Sequence, residues 1–575
     1  MAQSNNKPIG LLLRTVIGVV IATLIGGAFG FFAMGESAQS VFVYHDDSAS
    51  IAYWVTPARY GETYAPDDPA AILRKTLADP FAVALVRATA PFVDPLKVPV
   101  LFGVLSSMFA GVFGFLFGLE LIRREQVARW IREFAAAGFT LVCLSAMWVR
   151  FLPLSGVGNG GDFLIPLLLA TMWGAARKSP WVIGVAVIAA AGLYGSAFLI
   201  CFSLAALFVF NRDSKKSLLD WRIALALVVS AAVLFMLRLP SLFSEPQPTI
   251  GSLRLIDDIL SDRSFYPGGR YPLFYSNIWL TLLWGYQGGL TIDLQKIAIA
   301  LAAVPFILLR PRKSFPLHPA LWGLMLIGLT WYAMSWAALS EFFLPSRYMR
   351  GTLPIFLAGF TMTAAAHFLA DRKRKWSRVL ATALLVPVIL AISVPFVGGY
   401  RFKRVEDIEF VSKIARLPKG AMLAGHPLFT DEAVLFGRHS VTTSLENLLP
   451  VFDAYNRIMT DRTEATLRAL YASDPEKVLG FCRDYGVSYL LIHKQIFEKN
   501  VYGASLNFPE PYYSYGRAQA LIHDGRWTLN RDHFPGEIYN RGRNVIVPCT
   551  GESLLLPKPA ENEETEPKTE PEAAP

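Results

Sequence analysis

Ten apolar stretches, most of them close to the ~20 residues a helix needs to cross a bilayer, constrain this chain more than any motif in it. They lie at about 11–34, 98–121, 135–152, 163–176, 181–210, 222–239, 294–310, 319–339, 352–370 and 377–397. A soluble core has no room for so many. With 53% hydrophobic and only 17% charged residues among 575, the composition agrees. The stretch at 181–210 is longer than one crossing requires and carries Gly192, Tyr194, Gly195 and Ser196 near its middle. It reads as a tight helical hairpin, which makes eleven spans. The expected fold is an α-helical polytopic membrane protein of about 11 transmembrane helices.

Orientation follows from Lys and Arg, which short cytoplasmic loops retain. With the N-terminus inside, the inside segments carry Lys7 and Arg14, then Arg123, Arg124, Arg129 and Arg132, then Arg177 and Lys178. Farther on they carry Arg212, Lys215, Lys216 and Arg222, then Arg310, Arg312 and Lys313, then Arg372, Lys373, Arg374, Lys375 and Arg378. The outside loops up to residue 351 are much longer and hold half as many. Eleven spans then leave the C-terminal portion outside. The net charge of +9 reflects these orienting loops, and no nucleic-acid motif accompanies it. The first apolar stretch exceeds a signal-peptide core of 7–15 residues, so it is read as a retained anchor.

Three exported regions stand out. The first, residues 35–97, holds Tyr44-His45-Asp46-Asp47-Ser48 and then an amphipathic stretch from Pro69 to Val93, where Ile72, Leu73, Leu77, Phe81, Leu85 and Val86 recur at near-helical spacing. The spacing predicts a helix in the interface plane. The second, about 240–293, contains Ser264-Phe265-Tyr266-Pro267-Gly268-Gly269-Arg270-Tyr271-Pro272, read as an irregular loop, and a short apolar piece near Trp279–Trp284 that dips in without crossing. The third is an α/β domain at 400–556, where a capped helix from Asp474 runs to Tyr485-Gly486 and a strand follows over Val487–Ile492. Residues 1–399 form the transmembrane module, and the Pro- and Glu-rich residues 557–575 form a disordered tail. Cys482 and Cys549 both fall in the exported domain, where an oxidising compartment permits a bridge.

The candidate chemistry sits on the outer face. Asp46 and Asp47 are carboxylates placed just after the first span, suited to take a proton or to hold a cation. The alternative for them is a solvated loop. Asp162, in a short outside loop, either approaches the same face or caps the next helix. Arg347 and Arg350 suit a phosphate, since the guanidinium fork donates two parallel hydrogen bonds, or they anchor the interface by snorkelling. Arg270 is a further candidate for the phosphate, and Arg59 pairs either with the acids or with a lipid phosphate. His45 has no partner at metal-ligand spacing. Asp47 with Asp162 offers oxygen ligands for Mg²⁺ or Mn²⁺.

One N-terminal span, an exported loop with Asp46 and Asp47 near its start, many further spans, the late loop Leu344-Pro345-Ser346-Arg347-Tyr348-Met349-Arg350 and a soluble outer domain together make a familiar layout. It resembles the GT-C superfamily of membrane glycosyltransferases, which includes protein O-mannosyltransferases, lipid A aminoarabinose transferases and oligosaccharyltransferases. The resemblance implies a catalytic acid at Asp46 or Asp47, a second-loop acid at Asp162 and a carrier-phosphate arginine at Arg347. The C-terminal domain has no Trp-Trp-Asp motif, which sets the chain apart from oligosaccharyltransferases. The implied activity is inverting transfer of a sugar from a polyprenyl-phosphate donor to an exported glycan, lipid or protein acceptor, among membrane lipids and without nucleic acid. The implied location is a bacterial inner membrane with the outer domain periplasmic. The alternatives are a non-catalytic membrane scaffold and a lipid-linked glycan transporter or flippase. A transporter would be expected to carry ionisable residues along a midplane path, whereas nearly all charges here sit at span ends.

Overall fold

A computed structural model of the chain describes residues 7–44, 48–122, 127–148, 160–209, 220–243, 247–285, 287–308, 317–342, 344–370, 403–498, 502, 508–522 and 525–555. The triplet His45-Asp46-Asp47, the expected last span at 377–397 and the tail 557–575 lie outside the described residues. Two compact units are present, one comprising Met1–Glu62, Pro69–Val405 and Leu449–Asn456, the other Thr63–Asp68, Glu406–Leu448 and Arg457–Pro575.

The first unit is helical: α1 (Lys7–Met34), α2 (Val98–Glu120), α3 (Arg129–Met147), α4 (Leu164–Arg177), α5 (Pro180–Leu193), α6 (Gly195–Leu207), α7 (Trp221–Phe243), α8 (Leu294–Leu308), α9 (Pro319–Ala337) and α10 (Thr352–Ala370). Five segments are long and apolar enough to cross a membrane: Leu13–Met34, Pro95–Glu120, Arg129–Met147, Pro319–Ala337 and Arg347–Ala370. The chain is therefore an integral membrane protein. The five segments are candidates among the described residues; the expected stretch 377–397 lies outside them, and the other apolar helices of the bundle are shorter. α5 and α6 have 14 and 13 residues, about 20 Å each at ~1.5 Å per residue, against a hydrocarbon core of ~30 Å. The stretch expected as a hairpin breaks at Tyr194, whose backbone is extended (φ −160°, ψ 112°).

Small residues set the closest helix pairing. A Cβ on Gly26 would run into the carbonyl oxygen of Ser107, one on Gly111 into that of Ala22, and one on Gly30 would lie 2.9 Å from Ser107 Oγ. Ala22, Gly26 and Gly30 thus form a small stripe on α1 that lets the α2 backbone approach. The central helix is α4, with Leu164 to Thr171 buried without a break, as expected of a helix enclosed on all sides.

The expected interfacial helix over Pro69–Val93 is two helices, Pro69–Leu77 and Pro80–Thr89. Pro80 disfavours helical backbone at Asp79, which is extended and becomes the cap position of the second helix. The apolar piece near Trp279 is a single π-helical turn, Leu280–Trp284, with Trp279 and Trp284 more than half exposed. It is far too short to cross.

The second unit carries a five-stranded sheet in the order β4-β3-β5-β7-β6, formed by β3 (Met422–Gly425), β4 (Ser440–Val441), β5 (Val487–His493), β6 (Tyr539–Arg541) and β7 (Asn544–Pro548). β3 runs parallel to β4 and β5, and β7 is antiparallel to β5 and β6. The helix before β5 spans Pro475–Asp484; Asp474 accepts from Glu476 N at 2.9 Å, and Gly486 then adopts φ +64°, which a side chain would resist. Cys482 and Cys549 are joined, with Cα atoms 6.2 Å apart.

Candidate functional site

In the first unit a two-stranded ladder brackets the acidic triplet. β1 (Val43–Tyr44) pairs antiparallel with β2 (Lys403–Arg404), Val43 opposite Arg404 and Tyr44 opposite Lys403, and Val405 N donates to Phe42 O at 2.9 Å. A helix then starts at Ser48, which is buried. The Asp46 and Asp47 assignments themselves fall outside the described residues. Two cations on β2 nevertheless share a ladder with the residues just before them.

The late arginine loop is anchored inside the bundle. Leu344 adopts φ +66°, Ser346 N donates to Gln287 O at 3.0 Å, and a short helix Arg347–Arg350 leads into α10. Arg350 Nη2 donates to Gln287 Oε1 at 2.8 Å, and Gln287 is 8% exposed. Beyond Gln287 the chain passes Thr291, a β-branched residue at φ +53°, a conformation that is rare for such side chains. Asp293 then opens α8 by accepting from Lys296 N at 2.8 Å.

Lys296 was not among the residues singled out from the sequence. It is 5% exposed; its Nζ donates to Thr291 O at 2.7 Å and pairs with Asp293, and the Arg350 charge acts on it. Next to it, buried Gln295 Nε2 donates to Ser145 Oγ at 3.0 Å. A lysine in the first turn of an apolar run, three residues after an aspartate, was the available signal, because an ionisable residue within a span marks a functional site. Two buried hydroxyls, Ser346 Oγ and Thr291 Oγ1, make no hydrogen bond among the described residues. Lys296, Asp293, Arg350 and Gln287 thus meet near two hydroxyls with donors to spare.

Two other expected residues converge on the same loops. Asp162 is 1% exposed and sits in the turn Gly160–Phe163 before α4. The cap position of α4 is Phe163, so Asp162 is neither a solvated loop acid nor the cap. A Cβ on Gly351 would lie 3.1 Å from the Leu164 side chain, which ties the residue after Arg350 to the helix that Asp162 precedes. Arg270, beside the Tyr271 ring at 5.9 Å, belongs to a loop whose Phe265 and Leu273 pack with Leu344. Arg59 is exposed and lies 5.8 Å from the ring of Tyr60. For a divalent cation, Asp162 is the one described member of the expected donor set, and no group of three His, Cys, Asp or Glu among the described residues is arranged to hold a metal. No step below is routed through a cation.

No family model and no curated protein matches the chain. Among solved structures it is similar to the oligosaccharyltransferase of Archaeoglobus fulgidus in complex with Zn and sulfate, at 11% identity and TM-score 0.49 over 93% of this chain and 76% of that one. The AglB structure from the same organism with an inhibitory peptide and a dolichol-phosphate gives 11% identity and TM-score 0.47 over 93% and 77%. The arabinofuranosyltransferase AftD from Mycobacteria gives 16% identity and TM-score 0.48 over 83% of this chain and 36% of that one. Likenesses at this level put no residue here in correspondence with one of theirs, and the functional reading rests on the chain's own residues.

Proposed function

We propose that the chain is an inverting membrane glycosyltransferase that takes a sugar from a polyprenyl-phosphate donor at the periplasmic face of a bacterial inner membrane and passes it to an exported glycan, lipid or protein. The observation that carries this reading is the buried Lys296 with the half-buried Arg350, near the hydroxyls of Ser346 and Thr291, which make no hydrogen bond among the described residues. Buried charge is costly, so it is retained where it meets a charged ligand. A carrier phosphate suits the cluster: Arg350 and Arg347 offer guanidinium forks, Lys296 a point charge, and the two hydroxyls further donors.

The chemistry follows from charge. As the bond between the sugar C1 and the phosphate oxygen breaks, negative charge grows on that oxygen, and fixed cations stabilise it without reorganising. The acceptor nucleophile attacks C1 from the opposite face and gives its proton to Asp46 or Asp47, which inverts the configuration. The carrier leaves as polyprenyl phosphate. The excess of Lys and Arg in the alternate loops supports a cytoplasmic N-terminus, an outer active face and an exported domain over 400–556 following the membrane module 1–399.

The test is incorporation of radiolabel from polyprenyl-phosphate sugars into acceptor in membranes carrying the wild type or Arg350→Ala. Label incorporated by the wild type and reduced at least a hundredfold in an equally abundant variant supports the reading. Equal incorporation by the two removes the phosphate site from it.

A further inference from the structure

Between the π-helical turn Leu280–Trp284 and α8, the chain carries Gly285, Gln287, Gly288 and Gly289, and their backbone is held from several directions. Gly289 N donates to Gly285 O at 2.9 Å, and Trp336 of α9 donates Nε1 to Gly288 O at 3.1 Å. A Cβ on Gly288 would lie 2.8 Å from Leu273 O and 2.9 Å from the Trp336 ring, and one on Gly289 would lie 2.5 Å from Gly285 N. So close an approach of backbone to its surroundings suits glycine. Past the turn, Leu290 N donates to Leu282 O at 2.8 Å and Ile292 N to Leu283 O at 3.2 Å, which folds the chain back onto the π-helical turn.

Gln287 is the polar side chain in this frame, 8% exposed, and both of its carbonyl oxygens serve the arginine loop. The main-chain oxygen accepts from Ser346 N at 3.0 Å, and Ser346 O in turn accepts from Arg350 N at 3.0 Å. The side-chain oxygen accepts from Arg350 Nη2 at 2.8 Å. A guanidinium has no acceptor, so the amide atom facing it is the oxygen. The backbone and the side chain of Arg350 are thus both tied to one buried residue. Four residues on, Thr291 O accepts from Lys296 Nζ at 2.7 Å, so a single segment helps to place both cations.

The kind of acceptor matters as much as its place. An amide oxygen directs the guanidinium fork and brings no charge of its own, whereas a carboxylate there would set a negative charge within hydrogen-bond distance of Arg350. At that range, in an apolar setting, a unit charge acts strongly on any anion the arginine meets. Glutamine and glutamate are nearly the same size. Exchanging one for the other therefore separates a role in shape from a role in charge.

We propose that Gln287 is the positioning residue of the carrier-phosphate site: through a neutral oxygen it aims the Arg350 guanidinium at the phosphate oxygens and adds no negative charge beside them. Gln287 acts through Arg350, and the glycine frame keeps it from following the arginine if the loop shifts. The inference rests on reading the Lys296 and Arg350 cluster as the place of the carrier phosphate.

The test is native mass spectrometry of the full-length protein in detergent micelles doped with undecaprenyl phosphate or with undecaprenol, which has the same chain and no charge. Sugar transfer is measured on the same preparations. Gln287→Glu keeps the size and the acceptor, and it is expected to weaken retention of undecaprenyl phosphate by about tenfold or more, with undecaprenol retained as by the wild type. Gln287→Leu removes the acceptor and is expected to weaken the phosphate selectively but less. A role in packing alone predicts the opposite order, because leucine loses the hydrogen bond that glutamate keeps. Undiminished retention of undecaprenyl phosphate by Gln287→Glu, or equal loss of phosphate and alcohol in both variants, overturns the proposal. If Gln287→Glu does not fold, Gln287→Leu decides by whether it weakens the phosphate and spares the alcohol. Selective weakening in the variants with no sugar transferred by the wild type keeps the positioning role and removes the transferase reading. A wild type that does not distinguish the phosphate from the alcohol removes both.

Discussion

Replacing Lys296 with methionine removes one charge from the buried cluster while keeping most of the side chain's length. Two interactions go with it: the 2.7 Å bond to Thr291 O and the pair with Asp293. Breaking a fully buried ion pair from one side costs roughly 3–5 kcal/mol. Asp293 keeps 27% of its side chain exposed against 5% for Lys296, so water recovers part of that. The Thr291 carbonyl left without its donor adds about 1 kcal/mol. A net destabilisation of about 2–3 kcal/mol is expected for Lys296→Met. The effect on transfer is expected to be larger, about 10²–10³ in turnover, the scale for removing a preorganised group that stabilises charge developing in the transition state. Asp293→Asn separates the two roles. Combined with Lys296→Met it removes the unmatched carboxylate and recovers stability, yet turnover should stay low because the cation is still missing. Thermal unfolding in detergent and label transfer from a polyprenyl-phosphate sugar read the two quantities. Recovery of turnover in the double variant along with stability would refute the reasoning and make Lys296 a structural partner of Asp293.

Closing the chain through Cys482 and Cys549, 67 residues apart, restricts the unfolded state by on the order of 4 kcal/mol; Cys482→Ser should lower the unfolding midpoint of the second unit, and reductant should do the same to the wild type alone. In that unit, His426 is fully buried with Nε2 3.2 Å from Tyr502 Oη, and burial, aided by the His493 charge, lowers its pKa to about 3. Burial with Arg543 nearby lowers His493 to about 4. Both folded values lie below the ordinary ~6.5, so their contribution is complete above that pH and falls away as the pH drops toward 4, by up to about 1.4 kcal/mol per pH unit for each histidine; unfolding followed from pH 7 to 4 should show the decline, and His426→Gln should flatten it. Gly26→Val inserts atoms where the Ser107 carbonyl of α2 already lies, so the yield of monodisperse protein should fall sharply, whereas Gly195→Ala, with open space around its Cβ position, should be silent.

The long helices were legible because apolar composition alone specifies them. The break at Tyr194 was legible as well, from the Gly192, Tyr194, Gly195 and Ser196 cluster in an over-long stretch, whereas the division of the first-loop helix depended on the single residue Pro80. In the second unit, the Asp474 cap and the turn at Gly486 marked the helix and strand around them, since each acts through its immediate neighbours. The candidate site was half visible. Arg347, Arg350 and Asp162 stand out as polar residues between apolar runs, but the burial of Asp162 follows from packing across helices. Lys296 was hidden by its position inside an apolar run, and its role depends on Gln287, Thr291 and Arg350 arriving from two separate segments. No local pattern encodes that meeting.

The central claim is sugar transfer from a lipid carrier, and its most direct test is radiolabel transfer from a panel of polyprenyl-phosphate sugars. Membranes would contain the wild type or the Asp46→Asn, Asp47→Asn double variant at equal abundance. Incorporation from at least one donor by the wild type, lost in the variant, is the predicted result. Equal incorporation by both would take the base away from the Asp pair, and none from any donor by a protein that still binds the carrier would contradict the claim itself.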